Sequence, residues 1–454
     1  MGKIFGTFGV RGIFPDSMNP SFVYKLLRAF GTYLKSKIQR PVVAIGRDTR
    51  LSGESLKNAA ISALLESGAS VVDFGIVPTP AVQFGCRKLN LNGGVVITAS
   101  HNPPEFNGVK LLEGNGMGLK RENEKIVEDI LFEGKFETVS WKDLGKLTQY
   151  NIRDEYINEI ISKVDKNLIS SVKPKILVDM GNGAGSFTLP YILEELGCRV
   201  LSVNAHPSGK FSWRSPEPNE ENLKSTVEIV KSIDVDFAVA QDGDADRAVF
   251  INEKGEFIQG DRTFALAERE TLKRKKGTVV TTVATSLVID DVAKEFGVEV
   301  VRTKVGDLVV TGELLKRGGV VGGEENGGVI FPDFVLGRDG AMTTALIVEA
   351  FARSGKSFSE LLNELPYYHQ IKTKIHMEGD RKAVVEKVAE LAKEKGYKVE
   401  TTDGTKIWFE DGWVLIRASG TEPIVRIFAE SKKEENTNRY IEIAKELMSS
   451  VKIG

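Results

Sequence analysis

Three aspartates alternate in Asp242-Gly243-Asp244-Ala245-Asp246-Arg247, and a serine sits in the turn-prone run Thr98-Ala99-Ser100-His101-Asn102-Pro103. A curved loop carrying the first segment can aim three carboxylates at one point, and hard oxygen ligands of that kind suit magnesium or calcium. An EF-hand is the obvious rival, because Glu253 stands at the twelfth position counted from Asp242. It fails at the sixth, where the sharp turn needs glycine and the chain has Arg247. The following Ala248-Val249-Phe250-Ile251 also reads as a strand. A solvated acidic turn is the plainer alternative, and the compactness of the run after an apolar strand favours the metal site.

Ser100 follows an apolar strand and precedes Pro103, so its hydroxyl is expected on a constrained turn. A hydrolytic triad would need a histidine base, yet the chain has only four histidines, and no Gly-x-Ser-x-Gly elbow surrounds this serine. Phosphoryl transfer fits better, since it relies on a cation and positioned donors to offset charge on the equatorial oxygens. Taken alone, the motif reads equally as a Ser/Asn-rich turn. A third segment, Arg417-Ala418-Ser419-Gly420-Thr421-Glu422-Pro423, with Arg426 close behind, is rich in donors, and Arg417 could grip two phosphate oxygens. As a hairpin turn it would be unremarkable. Gly46-Arg47-Asp48-Thr49-Arg50 and Gly6-Thr7-Phe8-Gly9-Val10-Arg11-Gly12 add arginines in glycine-containing loops, as further candidate anion contacts.

These loops need elements to hold them, and one pattern occurs three times. An apolar strand (Val42-Val43-Ala44-Ile45, Ile176-Leu177-Val178-Asp179, Val279-Val280-Thr281-Thr282) leads to a helical segment. Each helix ends at Glu-x-Gly-x-x-Val (Glu66, Gly68, Val71; Glu195, Gly197, Val200; Glu295, Gly297, Val300), where glycine supplies a left-handed C-cap before the next strand. A third strand then enters a polar loop: the serine loop, the aspartate loop, or Gly323-Glu324-Glu325-Asn326-Gly327-Gly328. Ligands in open α/β sheets gather outside the carboxyl ends of strands, so three such loops facing one cleft is the natural arrangement. The junction also occurs at Glu394-Lys395-Gly396-Tyr397-Lys398-Val399, so it is in part ordinary punctuation. From about Pro366 the pattern changes to helical periodicity over 381–396, strands at 406–409, 413–416 and 425–429, and a final helix, a smaller α+β domain. The expected fold class is α/β, three similar α/β domains with mixed sheets plus this fourth around a central cleft, divided at 1–150, 151–253, 254–365 and 366–454.

The chain's 454 residues exceed what one core organises, and 41% hydrophobic with 27% charged residues is globular composition. A net charge of -2 gives no electrostatic case for nucleic acid. No apolar run approaches the roughly 20 residues that span a bilayer, and no signal or myristoylation pattern opens the chain, so it is expected to be cytoplasmic. Two cysteines, Cys86 and Cys198, point to apolar packing rather than disulfides or metal.

Together the serine, aspartate and arginine segments, in this order and spacing, resemble the α-D-phosphohexomutase superfamily of phosphomannomutases, phosphoglucomutases and phosphoglucosamine mutases, and the resemblance covers nearly the whole chain. It implies that Ser100 is the phosphoserine and that Asp242, Asp244 and Asp246 bind one Mg2+ with it. The enzyme would interconvert hexose 1- and 6-phosphates through a 1,6-bisphosphate, with glucose 1,6-bisphosphate or an equivalent as activator. By position, Lys110 is similar to the family's general base, for which nearby arginines and magnesium would have to depress its pKa. Arg11 and Arg247 resemble charge-stabilising neighbours of the transferring group, and Arg417, Ser419, Gly420, Thr421 and Arg426 the clamp for the distal phosphate. Glu324 and Asn326 resemble the sugar-binding loop, usually Gly-Glu-x-Ser-Gly-His; here Asn326 replaces the serine and Gly328 the histidine, so any acid/base role of that histidine is absent. Val305-Gly306-Asp307 leans toward an archaeal-type phosphoglucosamine mutase-like branch, with mannose and glucose phosphates as alternative substrates. A metal-dependent phosphatase and a silent sugar-phosphate sensor are the readings from other classes. The sequence leaves monomer or homo-oligomer open.

Overall fold

A computed structural model describes residues 4–419 and 423–451. Three of its four sheets share one arrangement. In the first, Val42–Arg47 lies between Ser70–Ile76 and Gly93–Ile97, parallel to both, and Phe106–Glu113 returns antiparallel to the latter. In the second, Lys175–Asp179 lies between Arg199–Val203 and Phe237–Gln241, and Ala248–Asn252 returns. In the third, Val279–Thr282 lies between Val300–Thr303 and Val321–Gly323, and Val329–Ile330 returns. The inner strands are buried apolar runs, as mixed sheets covered by helices require. The three junction glycines, Gly68, Gly197 and Gly297, have φ of +80°, +86° and +67°, the left-handed conformation expected where each helix hands over to a strand.

The recurring geometry gives the loops a common address. Serine, aspartate and glutamate loops each join the third strand to its antiparallel return. The fourth sheet is wholly antiparallel, ordered His369–His376, Ile424–Ser431, Gly412–Ala418, Thr405–Trp408, Lys398–Glu400, with helices Arg381–Glu394 and Glu434–Ser450 packed on it. Its loop, too, is a hairpin tip, between Gly412–Ala418 and Ile424–Ser431. Two of its strands escape the sequence reading. His369–His376 offers only Ile371 and Ile375 as apolar alternation among lysines and histidines, and Lys398–Glu400 is too short to show a period.

Interdomain packing fixes the loops relative to one another. Phe84, Tyr156 and Phe334 meet with ring centroids 5.7–6.0 Å apart. Val283 and Ala284 of the third domain share an apolar cluster with Trp413 and Leu415 of the fourth. Helix Gly340–Ser354 is almost wholly buried and starts under the aspartate loop: Asp339 caps Met342 N at 2.8 Å, and Gly340 N donates to Ala245 O at 3.3 Å. A Cβ on Gly340 would stand 2.7 Å from Arg247 O, so this approach requires glycine. Cys86 and Cys198 are buried and unpaired, and burial raises each thiol to about 12, which disfavours the thiolate. No helix among the described residues is long and apolar enough to cross a membrane.

Candidate active site

The serine loop is held from below. Ser100 is fully buried with φ +53°, a left-handed conformation that costs a non-glycine residue about 1 kcal/mol or more. Its N–H donates to Thr98 Oγ1 at 2.8 Å, and that hydroxyl donates to Asp48 Oδ2 at 2.6 Å. Asp48 also takes Arg50 Nε at 3.0 Å, and the Arg50 guanidinium donates to the carbonyls of Ser100, Asn102, Pro103 and Phe106 at 2.5–2.9 Å. The expectation that Gly46-Arg47-Asp48-Thr49-Arg50 contacts an anion is therefore corrected. Arg50 is buried on loop carbonyls and Arg47 pairs with Glu54 at 3.0 Å, so these cations are spent on structure.

Ser100 Oγ points at the aspartate loop, donating to Asp242 Oδ2 at 3.1 Å and lying 3.3 Å from His101 Nδ1. Asp242, Asp244 and Asp246 are buried, with one carboxylate oxygen of each within 4.8 Å of the others. Asp244 Oδ1 and Asp246 Oδ1 have no hydrogen-bond partner among the described residues. Buried carboxylate oxygens without donors are costly, and a hard divalent cation would satisfy both. The residues therefore fit the expected metal. Glu253, the twelfth residue of the rejected calcium loop, instead accepts from Ser359 N at 3.1 Å, away from the cluster.

Cations surround these carboxylates. Lys110 Nζ donates to Asp244 Oδ2 at 2.6 Å and Asp246 Oδ2 at 3.3 Å. Arg247 Nε donates to Asp242 Oδ2 at 3.0 Å and Arg247 Nη1 to Glu217 Oε1 at 3.0 Å. Arg11 Nη1 donates to Asn102 Oδ1 at 2.7 Å. Burial lifts Asp242 to about 7, with Asp246 adding to it; burial acts the same way on Asp246, but Arg338, Lys110 and Arg247 outweigh it and hold that carboxyl well below the usual range. Without magnesium, the carboxylates act against the depression of Lys110 expected from arginines and metal together. Burial pulls its pKa down, yet Asp244 and Asp246 outweigh burial and the arginines, and the net shift is upward. Burial first, then Arg247, Arg11 and Arg338, push His101 below its ordinary pKa, while its Nε2 lies 3.6 Å from Glu217 Oε2.

In the glutamate loop, Glu324 accepts Gly306 N on Oε1 at 3.0 Å and Arg338 Nη1 on Oε2 at 3.0 Å. Asn326 Oδ1 accepts Gly328 N at 3.1 Å and so shapes its own loop. Arg417 Nε donates to Asp403 Oδ2 at 2.7 Å, an oxygen that also accepts Val305 N at 3.0 Å, so the arginine loop is tied to the third domain beside Gly306. Arg426 lies directly across the hairpin from Arg417, and Ser419 is buried at the tip with its N–H on Ile424 O at 3.0 Å. Gly420 and Thr421 lie outside the described residues. Sequence reasoning missed Glu217, Arg338 and Asp403, and gave Asp48 and Arg50 an anion-contact role in place of the structural one they have. Each acts on a partner at least 14 residues away, except for the Asp48–Arg50 contact itself, so no local pattern announces it.

Four family descriptions match the chain: phosphoglucomutase/phosphomannomutase alpha/beta/alpha domain I over residues 2–138, domain II over 154–255, domain III over 259–368 and the C-terminal domain over 374–446. A phosphoglucomutase/phosphomannomutase of Thermococcus kodakarensis is 60% identical over 100% of both chains. A phosphoglucosamine/phosphogalactosamine mutase of Sulfurisphaera tokodaii is 38% identical over 99% of each. The crystal structure of a phosphoglucomutase/phosphomannomutase family protein from Burkholderia thailandensis matches with a TM-score of 0.89 at 28% identity, covering 99% of this chain and 97% of that one.

Proposed function

The chain belongs to the phosphoglucomutase/phosphomannomutase family of α-D-phosphohexomutases, and on that footing we propose that it interconverts hexose 1- and 6-phosphates through a phosphorylated Ser100 and a hexose 1,6-bisphosphate. The observation that carries this is the buried cluster in which Ser100 Oγ meets Asp242 at 3.1 Å while Asp244 and Asp246 each keep an oxygen unclaimed.

Lys110, Arg247 and Arg338 each pair with one of the three carboxylates of the cluster. A phosphoryl group of about two negative charges and a divalent cation enter it as a neutral pair. Magnesium held by Asp242, Asp244 and Asp246 would draw charge from the transferring phosphoryl group and from the carboxylates that keep Lys110 protonated. In the transfer, the Ser100 Oγ–phosphorus bond breaks and a bond from phosphorus to the sugar oxygen forms. The proton of that hydroxyl passes to Ser100 Oγ, with Lys110 as its carrier. Arg11 and Arg247 face the equatorial oxygens, Glu324 and Asn326 hold sugar hydroxyls, and Arg417, Ser419, Gly420, Thr421 and Arg426 hold the distal phosphate. When the bisphosphate turns round, the same clamp receives the other end. The more similar of the two named relatives carries the glucose and mannose name, which favours those phosphates as the main substrates over the glucosamine phosphate suggested by Val305-Gly306-Asp307.

The protein is incubated with glucose 1-phosphate, magnesium and a trace of glucose 1,6-bisphosphate, and glucose 6-phosphate is separated from free phosphate. Glucose 6-phosphate is the expected product, lost in Ser100→Ala. Free phosphate as the main product would make the protein a phosphatase, and no turnover a sensor.

A further inference from the structure

Gly328 is a glycine that its own backbone does not demand: its φ is not among the positive values in the chain. What its missing side chain makes room for is Arg338. A Cβ at position 328 would lie 2.2 Å from Arg338 Cδ and 3.0 Å from Arg338 Cγ, inside van der Waals contact. The side chain that fills this space is 10% exposed. It spans two domains, with Nη1 on Glu324 Oε2 at 3.0 Å and Nη2 on Asp246 Oδ2 at 2.7 Å, while Nε faces Asp307 Oδ2 at 3.9 Å. Burial lowers the guanidinium pKa, but Asp246, Asp307 and Glu324 outweigh it and keep the group charged.

Glu324 therefore has little freedom. Oε1 is fixed by Gly306 N, the residue's own N–H donates to Gly328 O at 3.0 Å, and the remaining oxygen is set by Arg338. A planar guanidinium presents its donors in a rigid fork that reaches carboxylates on two sides, whereas an ammonium is a compact point charge on a flexible stem.

We propose that Arg338 is a positioning residue that sets sugar selectivity by aiming Glu324, and that position 328 is glycine because any side chain there would displace Arg338 from it. This rests on the phosphohexomutase reading above. If the two positions compete for one space, Gly328→Ala and Arg338→Gln damage the same Glu324 contact, so their effects on the sugar ratios must combine to less than their sum.

The test is kcat and KM for glucose, mannose and glucosamine 1-phosphates in wild type, Gly328→Ala, Arg338→Gln, Arg338→Lys and the double variant. Thermal midpoints are recorded for each. Arg338→Gln should raise KM by about tenfold or more, with the ratios between sugars altered, as loss of a charge-assisted hydrogen bond on a binding carboxylate predicts. Gly328→Ala should shift the ratios in the same sense, and Arg338→Lys should recover only part. A folded Arg338→Gln whose KM values and ratios stay within twofold of wild type overturns the proposal. So does strict additivity of the two substitutions. Should Arg338→Gln fail to fold, Gly328→Ala decides alone, unchanged ratios refuting and shifted ratios supporting. Failure of the underlying reading looks different, because wild type itself would then convert none of the three sugars.

Discussion

Replacing Thr98 by valine keeps the shape of the side chain and removes one oxygen, so it isolates the hydrogen bonds that hold Ser100 in its left-handed turn. Thr98, Asp48 and Ser100 are each at most 1% exposed, so water cannot replace what is lost. The substitution strands the Ser100 N–H, which donated at 2.8 Å, and takes from Asp48 a donor at 2.6 Å. One stranded buried donor and one lost bond to a carboxylate sum to about 2.5–6 kcal/mol. If the loop relaxes to escape that cost, Ser100 leaves its strained φ and the competent arrangement becomes a minor state. The same energy then reads as a fall in kcat of about a hundred- to ten-thousandfold. KM should stay within about threefold, because Glu324 and Arg417 are untouched. The assay couples glucose 6-phosphate formation to a dehydrogenase at saturating magnesium and bisphosphate, with thermal unfolding in parallel. Thr98→Ser, which restores the hydroxyl, should return activity to within about fivefold of wild type. If Thr98→Val kept kcat within about threefold and melted at the wild-type temperature, the view that Asp48 and Thr98 hold the serine in place would be wrong.

Lys110→Met should lower kcat by about 10²–10⁴, the usual contribution of a positioned acid/base group, measured by the same assay. Chelation with EDTA should abolish turnover and magnesium restore it. Asp246→Asn should raise the magnesium concentration for half-maximal rate by about tenfold or more, and an unchanged value would remove Asp246 from the metal site. Lys406 gives a pH test of the contact between the third and fourth domains. Its amine is buried, donates to Val283 O at 2.7 Å and lies over the Trp408 and Trp413 rings. Burial, then Arg302, lowers its pKa to about 6 against Glu400, Glu430 and Asp290. Between about 6 and its unfolded value near 10.4 the unfolded chain binds the extra proton, so stability rises with pH at up to about 1.4 kcal/mol per unit. Lys406→Met should therefore melt above wild type at pH 7, with a gap that closes toward pH 10. A gap independent of pH would refute the shift.

How far the sequence carried the reading follows from how local each signal is. The aspartate loop packs its three ligands into five residues, and the serine loop is contiguous, so composition and order suffice. The three-fold strand and helix pattern was legible because each unit repeats the same glycine C-cap. The environment of those residues was not. Lys110 meets Asp244 across 134 residues and Arg338 meets Asp246 across 92, and both pairings depend on how separate domains are docked. Hence the upward pull on Lys110 in the absence of a metal goes unseen: no stretch of sequence places two carboxylates on the lysine. Arg50 misled for the opposite reason. An arginine in a glycine-containing loop looks available for an anion, and only the fold shows it spent on four carbonyls.

The overlap between Gly328 and Arg338 also constrains history. Two side chains cannot share that space, so a lineage passing between a form with a side chain at position 328 and this one cannot change the two positions in arbitrary order. Going toward a side chain at 328, Arg338 must shrink first, and the intermediate then has neither group and leaves Glu324 held on one oxygen alone. Going the other way, position 328 must empty before the arginine arrives. On the proposal that Arg338 aims Glu324, either path crosses a sequence that holds Glu324 less firmly, and a variant with glycine at 328 and a short side chain at 338 should accept more hexose phosphates than wild type.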